Sequence, residues 1–301
     1  MTALDGMAGS GDVRRLAIGT AQFGMDYGVA NAGGRLNFDD ARSVVELARA
    51  SGIDTIDTAV AYGTSQQTLG RIGVEGLHVI TKLPAFTGTA EEIPDWVART
   101  VAGALEQLDL TSIYALMFHH ADDLRGPNGA ALYEEVVRLR ETGVVSRVGV
   151  SIYDPEELVA ITARYELDLV QSPYNVLDRR IAESGWLDRL VETGVEVHTR
   201  SVFLQGLLLM KANERPAYFA PWSASLREWD EWCARKGISP LEAALGFVLG
   251  DDRVDRVLVG VDGPAQMIEV GEAARRTGDG ERFSGARVDD PALINPSFWK
   301  V

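Results

Sequence analysis

Short apolar runs recur along the chain, set apart by longer stretches in which apolar positions fall three or four residues apart. The short runs, residues 15–19, 53–57, 77–82, 113–118, 146–150, 168–171, 195–199 and 256–259, predict eight β-strands. The longer stretches predict helices at 39–50, 65–70, 91–108, 130–142, 155–165, 181–193, 224–236 with 240–249, and 264–276. Strands alternating with helices imply βαβ units, because a right-handed crossover helix returns each strand in the same direction. Gly52, Gly143, Gly194 and Gly237 stand where helices give way to the next element, as left-handed stops do. Helix starts read as Asp39, Thr89 with Glu92 three residues on, and Asp154 before Pro155 with Glu157 three residues on. Eight repeats point to a (β/α)8 TIM barrel rather than an open doubly wound sheet. No Pro-rich or Ser-rich linker divides the chain, so residues 13–301 read as one barrel behind a flexible tail at 1–12. Long stretches at 21–36, 211–223 and 278–301 are expected on or across the rim where the strands end, where such loops shape pockets.

Composition narrows the class. With 46% hydrophobic and 24% charged residues, the 301-residue chain has the make-up of an ordinary globular protein with a full core. A formal net charge of −15 disfavours nucleic acid and anionic membranes, which need basic surfaces. A phosphate-bearing cofactor is not excluded, since it needs only local positive potential or a helix N-terminus. Cys233 is the sole cysteine, so no internal disulfide can form, and a cytoplasmic setting is expected. No run of about 18 apolar residues exists to span a bilayer. Association state is left open.

Four polar residues follow from the strand reading. Asp57, Tyr62, Lys82 and His119 each sit at or just past the C-terminal end of a predicted strand, so parallel strands would gather them on one rim. An acid, a phenol, a lysine and an imidazole together suit proton transfer. The chain carries four lysines against 25 arginines, so a lysine inside a buried strand is a chemical choice. Arginine cannot shed its proton or act as a compact ammonium. Taken singly, Asp57 could cap a helix and Tyr62 could be a loop aromatic. His119 and His120 could suggest a metal pair, but adjacent strand residues face opposite ways. His198 is expected to face the helices, and His78, early in its strand, to be structural.

The order Gly19-Thr20, Asp57 to Gly63, Thr81-Lys82, Phe118-His119, Gly149-Val150-Ser151 and Gln171 to Asn175 closely resembles the aldo-keto reductases over most of the chain. The resemblance implies a (β/α)8 barrel, a nicotinamide cofactor and reduction of a small aldehyde or ketone, or the reverse oxidation. It gives Tyr62 the role of general acid, with Lys82 favouring the phenolate, Asp57 pairing Lys82, and His119 orienting the carbonyl. A nicotinamide supplies the hydride, which no side chain can carry. Cofactor contacts carried over are Gly19, Thr20, Ser151, Gln171, Arg200, Ser201, Gly206, Gln266 and Glu269.

Three positions depart from the family pattern. Ile152 stands where an Asn usually binds the carboxamide. Arg200 stands where an aromatic residue usually stacks on the nicotinamide; its guanidinium could stack, or bind an anionic substrate. Gly260, Val261 and Gln266 occupy positions that often grip a 2′-phosphate, and Asp262 adds a repulsive charge. NADP(H) is the first expectation on family grounds, with NAD(H) the competitor. Aromatic and amide groups in residues 21–28, in 218–222 and at Tyr174-Asn175 suggest a lining for a sugar-like carbonyl compound. An isomerase or epimerase with tightly held nicotinamide, and a cofactor-binding regulatory subunit, are the alternative functions.

Overall fold

The computed structural model describes residues 12–31, 33–278 and 282–300. Most of the predicted N-terminal tail therefore lies outside the described residues. Eight parallel strands close into a barrel in sequence order: β1 Leu16–Gly19, β2 Thr55–Asp57, β3 His78–Leu83, β4 Ile113–Phe118, β5 Val145–Ser151, β6 Leu169–Pro173, β7 Glu196–Arg200 and β8 Arg256–Gly260. The fold is the expected (β/α)8 barrel. Its strands are legible as nearly unbroken apolar runs because one face packs on the helices and the other fills the barrel.

Register fixes which residues share the inner face. Gly19 pairs with Asp57, Asp57 with Ile80, Lys82 with Met117, Ser151 with Gln171, Pro173 with Arg200, and Gly19 again with Gly260. Side chains two apart point the same way. On β3, His78, Ile80 and Lys82 therefore run along the inside from the N-terminal to the C-terminal end. Ile80 packs with Ala115, Met117 and Leu169 in an apolar cluster of its own, separate from the larger core between barrel and helices.

Most helix boundaries follow from local chemistry. Gly52, Gly143, Gly194 and Gly237 all adopt positive φ, the stop that a Cβ would strain. Thr89 and Glu92 form the expected capping box, and the Asp154 and Glu157 carboxylates accept from backbone N–H groups at the next helix start. Two expectations need correction. The helix Phe38–Ala50 is capped by Asn37, whose side chain accepts from Asp40 N, and not by Asp39. The stretch read as one helix over 181–193 is two, Arg180–Glu183 and Trp186–Glu192, because Gly185 takes a left-handed conformation between them.

The three long loops divide in their roles. Residues of 21–36 line the cavity at the C-terminal rim, and Glu214 does so from 211–223. The aromatics of residues 218–222 do not. Tyr218 donates to the Ala292 carbonyl at 2.8 Å, Phe219 packs edge-on to Trp299, and Trp222 donates to Asp290 at 3.1 Å. The described residues of the C-terminal segment thus cover these rings and the loop after β6, and none of them lines the cavity.

Candidate active site

Asp57 and Lys82 meet inside the rim as a buried ion pair, Nζ to Oδ1 2.5 Å, with both residues at most 2% exposed. Gln171 Nε2 donates to the other Asp57 oxygen at 2.8 Å, and Lys82 also donates to the Thr58 carbonyl at 3.1 Å. Each group is therefore held from two sides. Burial pushes the Lys82 pKa down, and the Asp57 carboxylate works against that fall. Behind them Thr20 donates both its backbone N–H and its hydroxyl to the Asp57 carbonyl, and Ser65 Oγ donates to Thr20 at 2.8 Å. This hydroxyl brace was not foreseen; Ser65 lies on a helix and nothing in its neighbourhood marks it.

Tyr62 is seated by a close crossing of two loops. A Cβ on Gly24 would run into the Tyr62 carbonyl, and one on Gly63 into the Gly24 carbonyl. Glycine at both positions lets the loop after β1 press against the loop that carries the phenol. Lys82 Nζ lies 5.4 Å from the Tyr62 ring centre. The His119 ring stands edge-on to it at 5.7 Å and 80°. Burial holds the His119 imidazole at about 3, with the Lys82 charge adding to the fall, so it is neutral at working pH. Its Nδ1 is buried without a protein partner. His119 and His120 lie just past β4, where strand alternation has ended, and their rings stand 5.1 Å apart. His120 is nevertheless exposed, and only His119 turns to Tyr62.

The expected lowering of the Tyr62 phenol is not found. Its pKa is pushed above the ordinary tyrosine value, first by burial and then by the Asp57 carboxylate, with Arg200 opposing. The reason is local: Asp57 sits against Lys82 and cancels the charge that would act on the phenol.

A cavity of about 440 Å³ runs from this cluster across the rim to the end of β8. Ten of the thirteen predicted site residues line it: Gly19, Thr20, Asp57, Tyr62, Gln171, Arg200, Ser201, Gly206, Gln266 and Glu269. Lys82, His119 and Ser151 do not; Lys82 is sealed behind Asp57, His119 stands beside Tyr62, and Ser151 is buried. Tyr174 and Asn175 point elsewhere, Tyr174 to Asp251 and Asn175 to the turn that follows it. Among lining residues that were not singled out as contacts, Gln22 and Tyr27 come from the first long loop.

At the far end the backbone of Gly260 lies open to the cavity, and a Cβ there would stand 2.7 Å from the Gln22 amide. The helix Pro264–Arg276 starts here after Gly263, without a side-chain cap. A long cavity with a glycine-floored end beside uncapped helical N–H groups fits a dinucleotide. Asp262 is the dissonant group. Its carboxylate accepts from Gln22 at 3.5 Å and Gln266 at 3.4 Å, while its own N–H donates to Gln266 Oε1 at 2.8 Å.

Comparison with known proteins identifies the family. The aldo/keto reductase family model matches residues 15–284, and the chain belongs to that family, whose members are oxidoreductases. The D-threo-aldose 1-dehydrogenase of a Pseudomonas species is 26% identical over 86% of this chain and 91% of its own length. L-glyceraldehyde 3-phosphate reductase of Escherichia coli (strain K12) is 29% identical, but over 43% of this chain and 44% of that relative, so the match spans less than half of it. The glycerol dehydrogenase AKR11B4 from Gluconobacter oxydans shares the fold, with a TM-score of 0.67 over 94% of this chain and 92% of that one at 24% identity. No helix among the described residues is long and apolar enough to cross a membrane.

Proposed function

We propose that this protein is a nicotinamide-dependent carbonyl reductase working at the Tyr62 end of the cavity. The observation that carries the reading is Tyr62 held at the cavity wall between a neutral imidazole and a buried Lys82–Asp57 pair. When bound, a reduced nicotinamide would supply the hydride to the carbonyl carbon. Tyr62 gives its phenolic proton to the oxygen as that oxygen becomes a hydroxyl. The raised pKa keeps the phenol protonated and ready across neutral pH. His119, with its pKa held at about 3, carries no imidazolium proton to give near neutral pH, so its part is to fix the carbonyl by hydrogen bonding. Asp57 and Gln171 keep the Lys82 ammonium in place beside the Tyr62 ring.

Gly19, Thr20, Gln171, Ser201, Gly206, Gln266 and Glu269 would hold the dinucleotide along the cavity, with Ser151 buried behind Gln171. Charge at the β8 end supports NAD(H) over the family's frequent NADP(H). Asp262 and Glu269 line that end, and Arg200 is the only cationic side chain among the lining residues. A 2′-phosphate there would meet two carboxylates and no cation. The NADH-specific methylglyoxal reductase of Escherichia coli (strain K12), 25% identical over 72% of this chain, is a relative consistent with that choice.

The test is consumption of NADH and NADPH by the purified protein with a panel of small aldehydes and keto-sugars. NADH oxidation at a kcat/KM about tenfold or more above that for NADPH is expected. Substrate turnover without net cofactor consumption, or no turnover with any carbonyl, would overturn the reductase reading.

A further inference from the structure

Arg200 is the last residue of β7, paired across to Pro173 of β6, so its side chain starts from the inner face of the rim. The guanidinium does not extend into solvent. It lies over the Tyr153 ring, 4.2 Å from the centroid, with Nη2 donating to the Ile152 carbonyl at 3.0 Å and Nη1 to Ser201 Oγ at 3.4 Å. These contacts fix the plane of the group, and all of them are neutral. Tyr153 was not foreseen here; its role becomes visible only once β5 and β7 are brought together.

No carboxylate lies within ion-pair distance of Arg200 among the described residues. Arg179 likewise bonds only to carbonyls, but it lies outside the cavity lining, and several other partly buried cations are paired. Lys82 has Asp57, Arg215 has Asp230, Arg180 has Asp154 and Asp178, and Arg253 has Asp251. In a chain with a net charge of −15, carboxylates are abundant, yet none is placed here. A half-buried cation without a counter-ion is unfavourable unless something else supplies the charge. A guanidinium has five donors, and two are used by the protein.

We infer that Arg200 is an anion clamp, and that the carbonyl substrate of this site carries a carboxylate or phosphate close to the reacting carbon. The inference rests on the reductase reading for the carbonyl and on the Arg200 geometry for the anion. The clamp stands near the chemistry, since Arg200 and Tyr62 line the same cavity. A short oxo acid or a phosphorylated aldehyde gripped by the guanidinium would bring its carbonyl to Tyr62. A planar fork matches either anion through paired hydrogen bonds. Neutral sugars would leave the cation unmatched.

The same chemistry could in principle meet a phosphate of the dinucleotide, and the experiment separates the two sources. Wild type, Arg200→Met and Arg200→Lys are assayed on matched pairs: succinic semialdehyde against butanal, and glyceraldehyde phosphate against glyceraldehyde. The ratio of kcat/KM for anionic over neutral member should fall about 100-fold in Arg200→Met, the size expected for a charge-assisted pair. Arg200→Lys should fall between, because an ammonium keeps the charge and loses the fork. NADH affinity, read by fluorescence titration, should change far less than that ratio. Independently of turnover, calorimetric titration with propionate should show binding to the NADH-loaded wild type that Arg200→Met loses. An unchanged ratio, or an NADH Kd that rises about 100-fold with the ratio unmoved, overturns the clamp and gives the guanidinium to the cofactor. Propionate binding with no carbonyl turnover would keep the clamp and sink the reductase reading instead.

Discussion

Both ends of the barrel interior are charged, and they handle charge in opposite ways. At the N-terminal end, Glu196 accepts from Tyr114 at 2.6 Å, meets His198 Nε2 at 2.7 Å, and lies 3.2 Å from Arg147, which itself donates to Tyr114. His78 stacks on the Tyr114 ring at 4.2 Å, and Arg256 donates to Thr55 beside Asp54. Each cation there has an anion. At the C-terminal end the Lys82–Asp57 pair is matched, but Arg200 has no counter-ion, and Tyr62 makes only ring contacts with its polar neighbours. Each end leaves one buried imidazole Nδ1 without a partner, His198 below and His119 above, so that feature alone does not mark a site. The unmatched cation and the cavity beside it do. The same residue types make a self-satisfied plug at one end and an unfinished site at the other, the division of labour usual in such barrels.

The comparison predicts different losses at the two ends. Lys82→Met should do the greatest damage, because it strips the partner from a fully buried Asp57. A cost of about 3–5 kcal/mol in unfolding free energy is expected, with turnover cut by about a thousandfold. Denaturant melts and kinetics on the same preparation would check it, and wild-type stability in the variant would break the account of the pair. At the other end, Glu196→Gln should cost stability and spare catalysis. Against burial, which would raise it, its partners, His198 first, hold the Glu196 carboxyl at about 2, below the ordinary 4.5. A depressed folded-state pKa stabilises above the unfolded value, so the benefit is present above about pH 4.5 and fades as pH falls toward 2. At neutral pH the variant should lose about 2–3 kcal/mol. The gap from wild type should close through that acid window. A gap that persists unchanged at pH 2 would contradict the cause given.

A smaller effect concerns pH and rate. In the proposed mechanism alcohol oxidation needs the Tyr62 phenolate, and the phenol is pushed above its ordinary value of 10. The kcat/KM for oxidation should therefore climb with pH through 10 without levelling. A plateau near pH 8 would mean that Lys82 does lower the phenol. Reduction, which uses the protonated phenol and a neutral His119, should show no inflection between about pH 5 and 8.

Much of this was legible in the sequence, for identifiable reasons. Strands buried on both faces announce themselves as apolar runs, and their order alone implied that Asp57, Tyr62, Lys82 and His119 share a rim. The Gly52, Gly143, Gly194 and Gly237 stops were readable because a left-handed turn favours one residue type. What escaped depended on distance in space. Asp39 reads as a cap in the sequence, and only the packed helix start shows that Asn37 fills that place. His198 was expected to face the helices, yet it alternates with Glu196 and Arg200 on the inward face of β7. The Tyr62 shift turned on whether the Lys82 charge was already taken by Asp57. The Tyr218 and Trp222 rings seemed pocket residues because the C-terminal segment that buries them lies some 70 residues away. Gln22 could not be tied to Asp262, 240 positions on, without the closed barrel.

The central claim is that the open end of the barrel performs the chemistry through one phenol. Tyr62→Phe and Glu196→Gln, run beside wild type, test it with three readings: turnover of aldehyde with NADH, NADH affinity, and thermal stability. Tyr62→Phe should lose about a thousandfold in kcat while NADH affinity stays within about twofold and melting is little changed. Glu196→Gln should melt earlier and turn over normally. Undiminished turnover in Tyr62→Phe would contradict the account at its centre.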